Sequence, residues 1–499
     1  SRFIYTATAN QTSFTGNDDA GITLAYTDTL YIDVYQNGVL LVPATDYAST
    51  TGTSVVLVQG ASADDTVEMV VYDIFSVADA VSAKDGGTFS GTIAAAGLST
   101  SSLGTSNFRA GVNAGNSITA GGNKNVTVGD EAGTAITTGD NNVAVGADAL
   151  SSNTTADANT AVGFSALLAN STGDKCTAVG AYALDANTTA SDNTAVGWNS
   201  LSQNTTGAHN TAVGKSAGEV VTTADDNVFV GYRSGGATTT GHSNVAVGTD
   251  SLLTNVDGDG LTAIGFEALK TFEPSDGLRY TVAVGYQAGK ACTAGGDNVF
   301  VGGQAGLAVT DGNNNVAIGK LALSTNLQGD RSVAVGHEAL KVANPSGDVD
   351  MHNVAVGYQA GVAVTTGINN TLIGALAGDA LTDADLNVAV GKGALTTDTL
   401  GSNSVAIGFA ALEAQNFTSA TNTYNTAVGS GAGAAVTSGT QNTLIGGLAG
   451  DATTTGEKNV VLGYDALSTN VAGDQIVAIG NEAAQLLNPS GNVDMNGVY

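Results

Sequence analysis

The chain is poor in the residues that usually carry redox chemistry, metal binding or nucleic-acid binding. It has two cysteines, four prolines, 5% aromatic residues and only 15 basic residues against 45 acidic ones. The charge of −30 argues against nucleic acid and anionic membranes as partners, because phosphate contacts need clusters of lysine and arginine. Cys176 and Cys292 lack any CxxC spacing, so we expect two small thiols that are buried or half-buried.

Targeting and cofactor signals are missing as well. No run of about 18 apolar residues is present, so we expect no membrane insertion. The first residues read as a strand rather than a signal peptide, which predicts synthesis in a cytoplasm. No phosphate-binding G-x-x-x-x-G-K-[ST] loop occurs, and the four histidines have no ligand spacing. We therefore expect no cofactor, no metal and no enzymatic activity.

The sequence does contain a long internal repeat. The motif Asn-(Val/Thr)-Ala-Val-Gly is clear at residues 142–146 and recurs mostly every 17 residues. This period is typical of solenoids, in which each coil buries its face on its neighbours. The glycine that ends the motif, here called the repeat glycine, lies at positions 129, 146, 163, 180, 197, 214, 231, 248, 265, 285, 302, 319, 336, 357, 374, 391, 408, 429, 446, 463 and 480.

Three regions can be separated along the chain. Residues 1–82 do not repeat and carry alternating runs rich in Val, Ile, Tyr and Thr, with an Asn37-Gly38 hairpin signal between two of them. We expect a small antiparallel β-sandwich there. Residues 83–106 form a glycine-rich connector. Residues 107–499 form an all-β solenoid of about 17-residue coils, here called the shaft.

The strand before each repeat glycine is apolar on both faces. The residue two before the glycine is mostly alanine, and its two neighbours are β-branched in nearly every coil. One face must fill the coil, and the other needs cover from the rest of the coil or from a second chain. We favour three subunits around an axis, with a monomeric solenoid of wide core as the alternative. The predicted trimer interface comprises Ala144, Ala161, Ala178, Ala195, Ala212, Phe229, Ala246 and Ala263.

Other positions of the coil carry their own predictions. The residue four before the repeat glycine is asparagine in most coils, which predicts an amide ladder between stacked coils, with a metal-binding ladder as the alternative. The repeat glycine is expected at a corner with positive φ. Four residues after it stands leucine or glycine in nearly every coil, and the leucines are expected to plug the interior.

Three coils are longer than the rest, at residues 265–285, 336–357 and 408–429. Their extra residues concentrate aromatic, proline, methionine and histidine side chains, which makes them candidate receptor-contact loops; irregular coils that pack locally are the alternative. Because the sequence stops at Tyr499 in mid-coil, we also expect the native polypeptide to continue or to be cut there. The candidate contact residues are Phe272, Pro274, Tyr280, Pro345, Met351, His352, Phe417 and Tyr424.

The shaft resembles a known repeat. The pattern Asn-Thr-Ala-Val-Gly-x-x-Ala-Leu, and its variant Ser-Val-Ala-Ile-Gly at residues 404–408, are similar to the left-handed β-roll repeats in the head domains of trimeric autotransporter adhesins. The resemblance covers about residues 129–499. It implies a left-handed β-roll and a homotrimer with its alanine face towards the shared axis. The 17-residue period departs from the shorter coil of that family.

The N-terminal region resembles tail fibre proteins of short-tailed marine phages, on residues 3–14, 34–41 and 86–91. This implies a virion fibre made in the host cytoplasm. Residues 1–82 would attach to a virion or tail protein, and the shaft would reach a host cell-surface glycan or protein. Such fibres often end in a self-cleaving folding chaperone. A cellular trimeric adhesin or extracellular filament protein is the second hypothesis, and a polysaccharide-degrading β-solenoid enzyme is the third.

Overall fold

Strands and turns make up the part of the chain that the structure describes. The computed structural model describes residues 1–26, 28–49, 52–72, 98–99, 104–273, 280–489, 491 and 493–499. Within these ranges no helix is long and apolar enough to cross a membrane. The chain divides into two compact units, Ser1–Ile93 and Ala94–Tyr499, and the division falls inside the predicted connector. The predicted all-β fold class is confirmed.

The first unit consists of two antiparallel sheets around one core. Its elements are β1 Arg2–Thr6, β2 Gln11–Thr15, a 3₁₀ turn Thr29–Tyr31, β3 Ile32–Gln36, β4 Val39–Leu40, β5 Tyr47–Ala48, β6 Ser54–Ala61 and β7 Thr66–Val71. One sheet has the order β1-β7-β3-β4 and the other β2-β6-β5. Phe3 of the first sheet and Phe14 of the second belong to the same buried cluster. Asn37 and Gly38 both have positive φ between β3 and β4, as the hairpin signal predicted.

The second unit is a β-solenoid of about 22 turns. Most coils contribute a three-residue strand to one continuous parallel sheet, and equivalent residues of successive coils pair, as Ala144 does with Ala161. The strands are β8 Leu98–Ser99, β9 Phe108–Ala110, β10 Val126–Val128, β11 Val143–Val145, β12 Thr160–Val162, β13 Thr177–Val179, β14 Thr194–Val196, β15 Thr211–Val213, β16 Val228–Val230, β17 Val245–Val247, β18 Thr262–Ile264, β19 Val282–Val284, β20 Val299–Val301, β21 Val316–Ile318, β22 Gly329–Asp330, β23 Val333–Val335, β24 Val349–Asp350, β25 Val354–Val356, β26 Thr371–Ile373, β27 Val388–Val390, β28 Gly401–Ser402, β29 Val405–Ile407, β30 Thr421–Asn422, β31 Thr426–Val428, β32 Thr443–Ile445, β33 Val460–Leu462, β34 Gly473–Asp474, β35 Val477–Ile479 and β36 Val493–Asp494.

Asparagine side chains tie successive coils together inside the shaft. The Oδ1 of Asn142 accepts the backbone N–H of Asn159 at 3.0 Å, and its Nδ2 donates to the carbonyl of Ala156 at 2.8 Å. The same two bonds recur along the column. Because these groups are buried, the side chain replaces the water that the backbone would otherwise need. The predicted amide ladder is confirmed, with a backbone N–H of the next coil as the partner.

The repeat glycines form a corner at which the backbones of successive coils touch. From Gly129 to Gly480 their φ values lie between +128° and +145°. A Cβ at Gly163 would lie 2.5 Å from the carbonyl oxygen of Gly180. Both the dihedral and the close approach require glycine, and the predicted positive φ is confirmed.

Core volume is balanced between two positions of the coil. Phe229 stands two residues before its repeat glycine. In that coil and in the preceding coil, the residue four after the repeat glycine is itself a glycine. A Cβ on Gly235 or Gly218 would come within 2.4 or 2.8 Å of the Phe229 ring. Where the first position is alanine, leucine usually fills the space, as Leu150 does in spite of a φ of +55°. The same pairing joins Phe300 to Gly289 and Gly306, Leu372 to Gly361 and Gly378, and Leu444 to Gly433 and Gly450.

The longer coils add a second, two-stranded ladder. β22 pairs with β24, β28 with β30, and β34 with β36, each in parallel. The strands β24 and β30 lie inside the long coils at 336–357 and 408–429, so their extra residues form pairs with the coil before. In the long coil at 265–285, residues 274–279 lie outside the described residues.

Candidate interaction surface

The strand of each coil has one face inside the shaft and one face outside. The residue two before the repeat glycine points inward and has no exposed surface. The predicted trimer interface uses this position, and the prediction is wrong for these side chains: a group with no surface in the single chain cannot touch another chain. The rest of the coil covers them. They are Ala144, Ala161, Ala178, Ala195, Ala212, Phe229, Ala246 and Ala263.

The residues three and one before each repeat glycine point outward, and we call these two columns the outer strand face. In β11 they are Val143 and Val145, both partly exposed. From β10 to β35 the first column contains only valine and threonine, and the second only valine, isoleucine and leucine. At least 36% of the residue surface is exposed at Val179, Val213, Ile264, Ile318, Val356, Ile373, Ile407, Ile445, Leu462 and Ile479.

The outer strand face is long and uncharged, although the chain has a net charge of −30. Strands about 4.8 Å apart make a strip of roughly 100 Å over these coils. Even at a width of ~5 Å the strip covers on the order of 500 Å². A patch of that size equals the largest apolar patches on typical monomers, which are often functional, so the outer strand face is a candidate interaction surface.

A column of aromatic side chains runs beside the outer strand face. The rings of Phe266 and Tyr286 stack with centroids 5.5 Å apart, and His337 stacks on Tyr358 at the same distance. This column was not predicted, although the sequence shows an aromatic residue directly after the repeat glycine in several coils. Its members, which are 42–58% exposed, are Phe164, Trp198, Tyr232, Phe266, Tyr286, Tyr358, Phe409 and Tyr464.

A cavity of about 540 Å³ opens next to this column. Gly236 stands five residues after its repeat glycine, and the neighbouring coils carry Glu219 and Leu253 at the same position. The side chain missing at Gly236 therefore leaves a hollow between these two, and we call it the Gly236 pit. Trp198 and Tyr232 of the aromatic column also line it.

Cations are held against the aromatic rings of the pit. The Nζ of Lys215 lies between two rings, 5.0 Å from the centroid of Trp198 and 5.9 Å from that of Tyr232. The guanidinium carbon of Arg233 is 5.7 Å from the Tyr232 centroid, and its Nε is 3.6 Å from Asp250 Oδ1. Cation–π attraction holds the Lys215 ammonium at the rim of the pit, where its N–H groups are available as hydrogen-bond donors.

An ion-pair cluster lies on the coils that follow. The Nζ of Lys290 is 2.6 Å from the Glu267 carboxylate, Lys270 pairs with the same carboxylate, and Gln287 Nε2 donates to it at 2.8 Å. Hydrogen bonds from these three groups, Lys270 first, lower the pKa of Glu267 to about 2. The pairing with Glu267 raises the pKa of the Lys270 ammonium.

The eight predicted receptor-contact residues comprise three that are exposed, four that are buried and one outside the described residues. Tyr280, His352 and Tyr424 are exposed, and all three stand five residues before a repeat glycine, so they stay candidates. Pro274 lies outside the described residues. The prediction is wrong for the other four, because their side chains are buried in the coils. For these residues the alternative, irregular coils that pack locally, is correct. They are Phe272, Pro345, Met351 and Phe417.

Both cysteines are buried, as predicted. Cys176 takes the place of an asparagine in the ladder, and its backbone N–H donates to Asn159 Oδ1 at 2.8 Å. Burial raises the pKa of Cys176 to about 11 and that of Cys292 to about 12, so both are protonated thiols of low reactivity. Among the described residues, no group of three His, Cys, Asp or Glu side chains could hold a metal ion.

No protein-family model matches this chain, and no similar curated protein or solved structure is found. The resemblances to adhesin repeats and to phage tail fibres therefore rest on the motifs quoted above. Two features of the surface bear on the function: the outer strand face and the aromatic column with its pit.

Proposed function

We propose that this chain is the subunit of a virion tail fibre. Three copies form a left-handed β-roll shaft, residues 1–82 attach it to a virion or tail protein, and the shaft reaches a glycan or protein on the host cell surface. The chain acts by holding and presenting surfaces, without catalysis. In this proposal the outer strand face, instead of the alanine column, forms the interface between copies.

The observation that supports the proposal is the composition of the outer strand face. The interior of the coil is already filled by alanine, leucine and asparagine side chains, so the packing of a single chain does not need apolar residues outside. Valine, isoleucine, leucine and threonine nevertheless occupy the outer positions from β10 to β35. An interface with sister chains buries this strip in every coil, and a closed symmetric assembly leaves none of it exposed.

The placement of negative charge agrees with this arrangement. Asp140, Asp157 and Asp174 stack eleven residues after their repeat glycines, three residues before the next strand begins and outside the two columns of the outer strand face. Each carboxylate also bonds to the coil before it: the N–H of Asp140 donates to Asp157 Oδ1 and that of Asp157 to Asp174 Oδ1, both at 2.7 Å. The outer strand face itself therefore carries no like charges that would repel across an interface.

Immunogold electron microscopy tests the assignment. Antibodies against the shaft are applied to virus particles and cells from the culture that carries the gene. Gold on projections from the particles is the expected result. Gold on the cell surface alone would favour the cellular adhesin, and gold on neither would contradict both.

A further inference from the structure

We propose that the Gly236 pit binds a cell-surface oligosaccharide. Trp198 and Tyr232 stack on sugar rings, and Lys215 and Glu219 bond to hydroxyl or carboxylate groups of the sugar. The host surface as the source of the sugar rests on the proposed function above. The chemistry of binding rests on the pit alone.

The pit exists because one side chain is missing. Gly236 has no positive φ, and neighbouring coils place Glu219 and Leu253 at the same position, so the backbone there accepts a side chain. A Cβ on Gly236 would come 2.9 Å from the Leu253 Cδ1 and 3.1 Å from the Arg233 carbonyl oxygen. A side chain at this position would therefore have to push the flexible Leu253 side chain aside and would enter the cavity that both residues line. The backbone conformation does not demand glycine here.

The aromatic rings suit the apolar face of a sugar. Trp198 is 46% exposed and Tyr232 is 43% exposed, and both rings border the cavity. They belong to coils two apart, roughly 10 Å along the sheet, which is comparable with the length of two linked pyranose rings. Rigid aromatic side chains supply contact area at little entropic cost.

The polar groups of the pit suit hydroxyls, which both donate and accept. Lys215 can only donate, and Glu219 can only accept. Each is held in place, Lys215 between the two rings and Glu219 by a hydrogen bond from Asn199 Nδ2 at 3.3 Å. A cavity of about 540 Å³ is within the range of pockets that take small ligands. Nucleic acid is a poor fit, because the chain has a net charge of −30.

The single tryptophan makes the test direct. Trp198 is the only tryptophan of the chain, so tryptophan fluorescence reports on this pit and nothing else. The full chain is first applied to an array of neutral and uronate-containing glycans. Soluble forms of the glycans that bind are then titrated while Trp198 fluorescence is followed. Saturable changes in fluorescence are the expected result.

Three variants, one of them a control, complete the test. Gly236→Gln fills the pit and should weaken binding at least tenfold. Ser151→Gln introduces the same side chain at the equivalent position of a distant coil and should leave binding unchanged. Lys215→Gln separates the two sugar classes, since uronate glycans should lose more affinity than neutral ones. The proposal is overturned if the array retains no glycan, or if Gly236→Gln binds as well as the unmodified chain.

Sedimentation of the same samples keeps this proposal apart from the fibre proposal. A monomer that binds glycans through the pit would support the site and contradict the trimeric fibre. A trimer that binds none would do the reverse, and would show that assembly and sugar recognition are separate properties of the shaft.

Discussion

The residue types on the inner and outer faces of the same short strand are determined by different contacts. Inside, Phe229 is accommodated only because Gly218 and Gly235 make room for its ring, so one position determines another. Outside, Val143 and Val145 are partly exposed and have no such counterpart, yet their chemical type recurs from coil to coil. The inner pattern is explained by the fold, whereas the outer pattern calls for a partner.

The largest expected effect comes from breaking the inner balance. Phe229→Ala should lower the free energy of unfolding by about 3–5 kcal/mol, because it leaves a cavity in a fully buried site. Adding Gly218→Leu and Gly235→Leu should restore much of the loss, since leucine fills this space beside alanine in other coils. Guanidinium unfolding of the three chains measures both effects. No recovery in the triple variant would contradict the volume balance.

Removing one rung of the asparagine ladder should cost somewhat less. Asn210→Leu removes the acceptor for the Asn227 N–H and the donor to the Ala224 carbonyl. Leaving these buried groups without partners should cost about 2–4 kcal/mol, measured as before. A leucine fits sterically, since Leu261 occupies this position naturally. Thr211→Val on the outer face is the control and should change stability by no more than about 0.5 kcal/mol; equal losses in both variants would refute the role of the ladder.

Charge on the outer strand face should break assembly more than folding. Introducing aspartate at Val196 and Val213 together should turn the proposed trimer into monomers, because three like-charged faces cannot be buried together. Circular dichroism should stay that of a folded β protein. Thr189→Asp, an exposed position elsewhere on the coil, is the matched control and should stay trimeric. Light scattering distinguishes the outcomes, and an unchanged mass in the double variant would place the interface elsewhere.

The Glu267 cluster should give the smallest effect, visible only in acid. Its folded-state pKa of about 2 lies below the ordinary glutamate value. The stability from this group is therefore complete above about pH 4.5 and is lost as the pH falls towards 2. Glu267→Gln should lose less stability than the unmodified chain between pH 5 and pH 2. Equal losses of stability in the two chains over this pH range would show that the cluster does not contribute to stability.

The repeat was enough to predict the solenoid, the glycine corner and the asparagine ladder, because each depends on residues that recur at one position. It was not enough to decide which face of the strand lies inside. Alanine suits a narrow coil interior as well as a close interface between chains, and the cross-section depends on how the rest of the coil folds back.

The candidate site was less predictable for a related reason. The Gly236 pit arises from a single missing side chain between Glu219 and Leu253, and only stacking brings these three together. The sequence shows both Phe229 and the glycines that make room for its ring. However, the coil positions that they occupy are not neighbours along the chain. Their contact becomes evident once the coil closes.

The mass of the intact protein in solution tests the central claim most directly, namely that sister chains cover the outer strand face. Sedimentation equilibrium at micromolar concentration should give three times the chain mass of 49.1 kDa. A folded chain that remains a single copy over that range would contradict the account, because its valine and isoleucine columns would then face water with no partner to hide them.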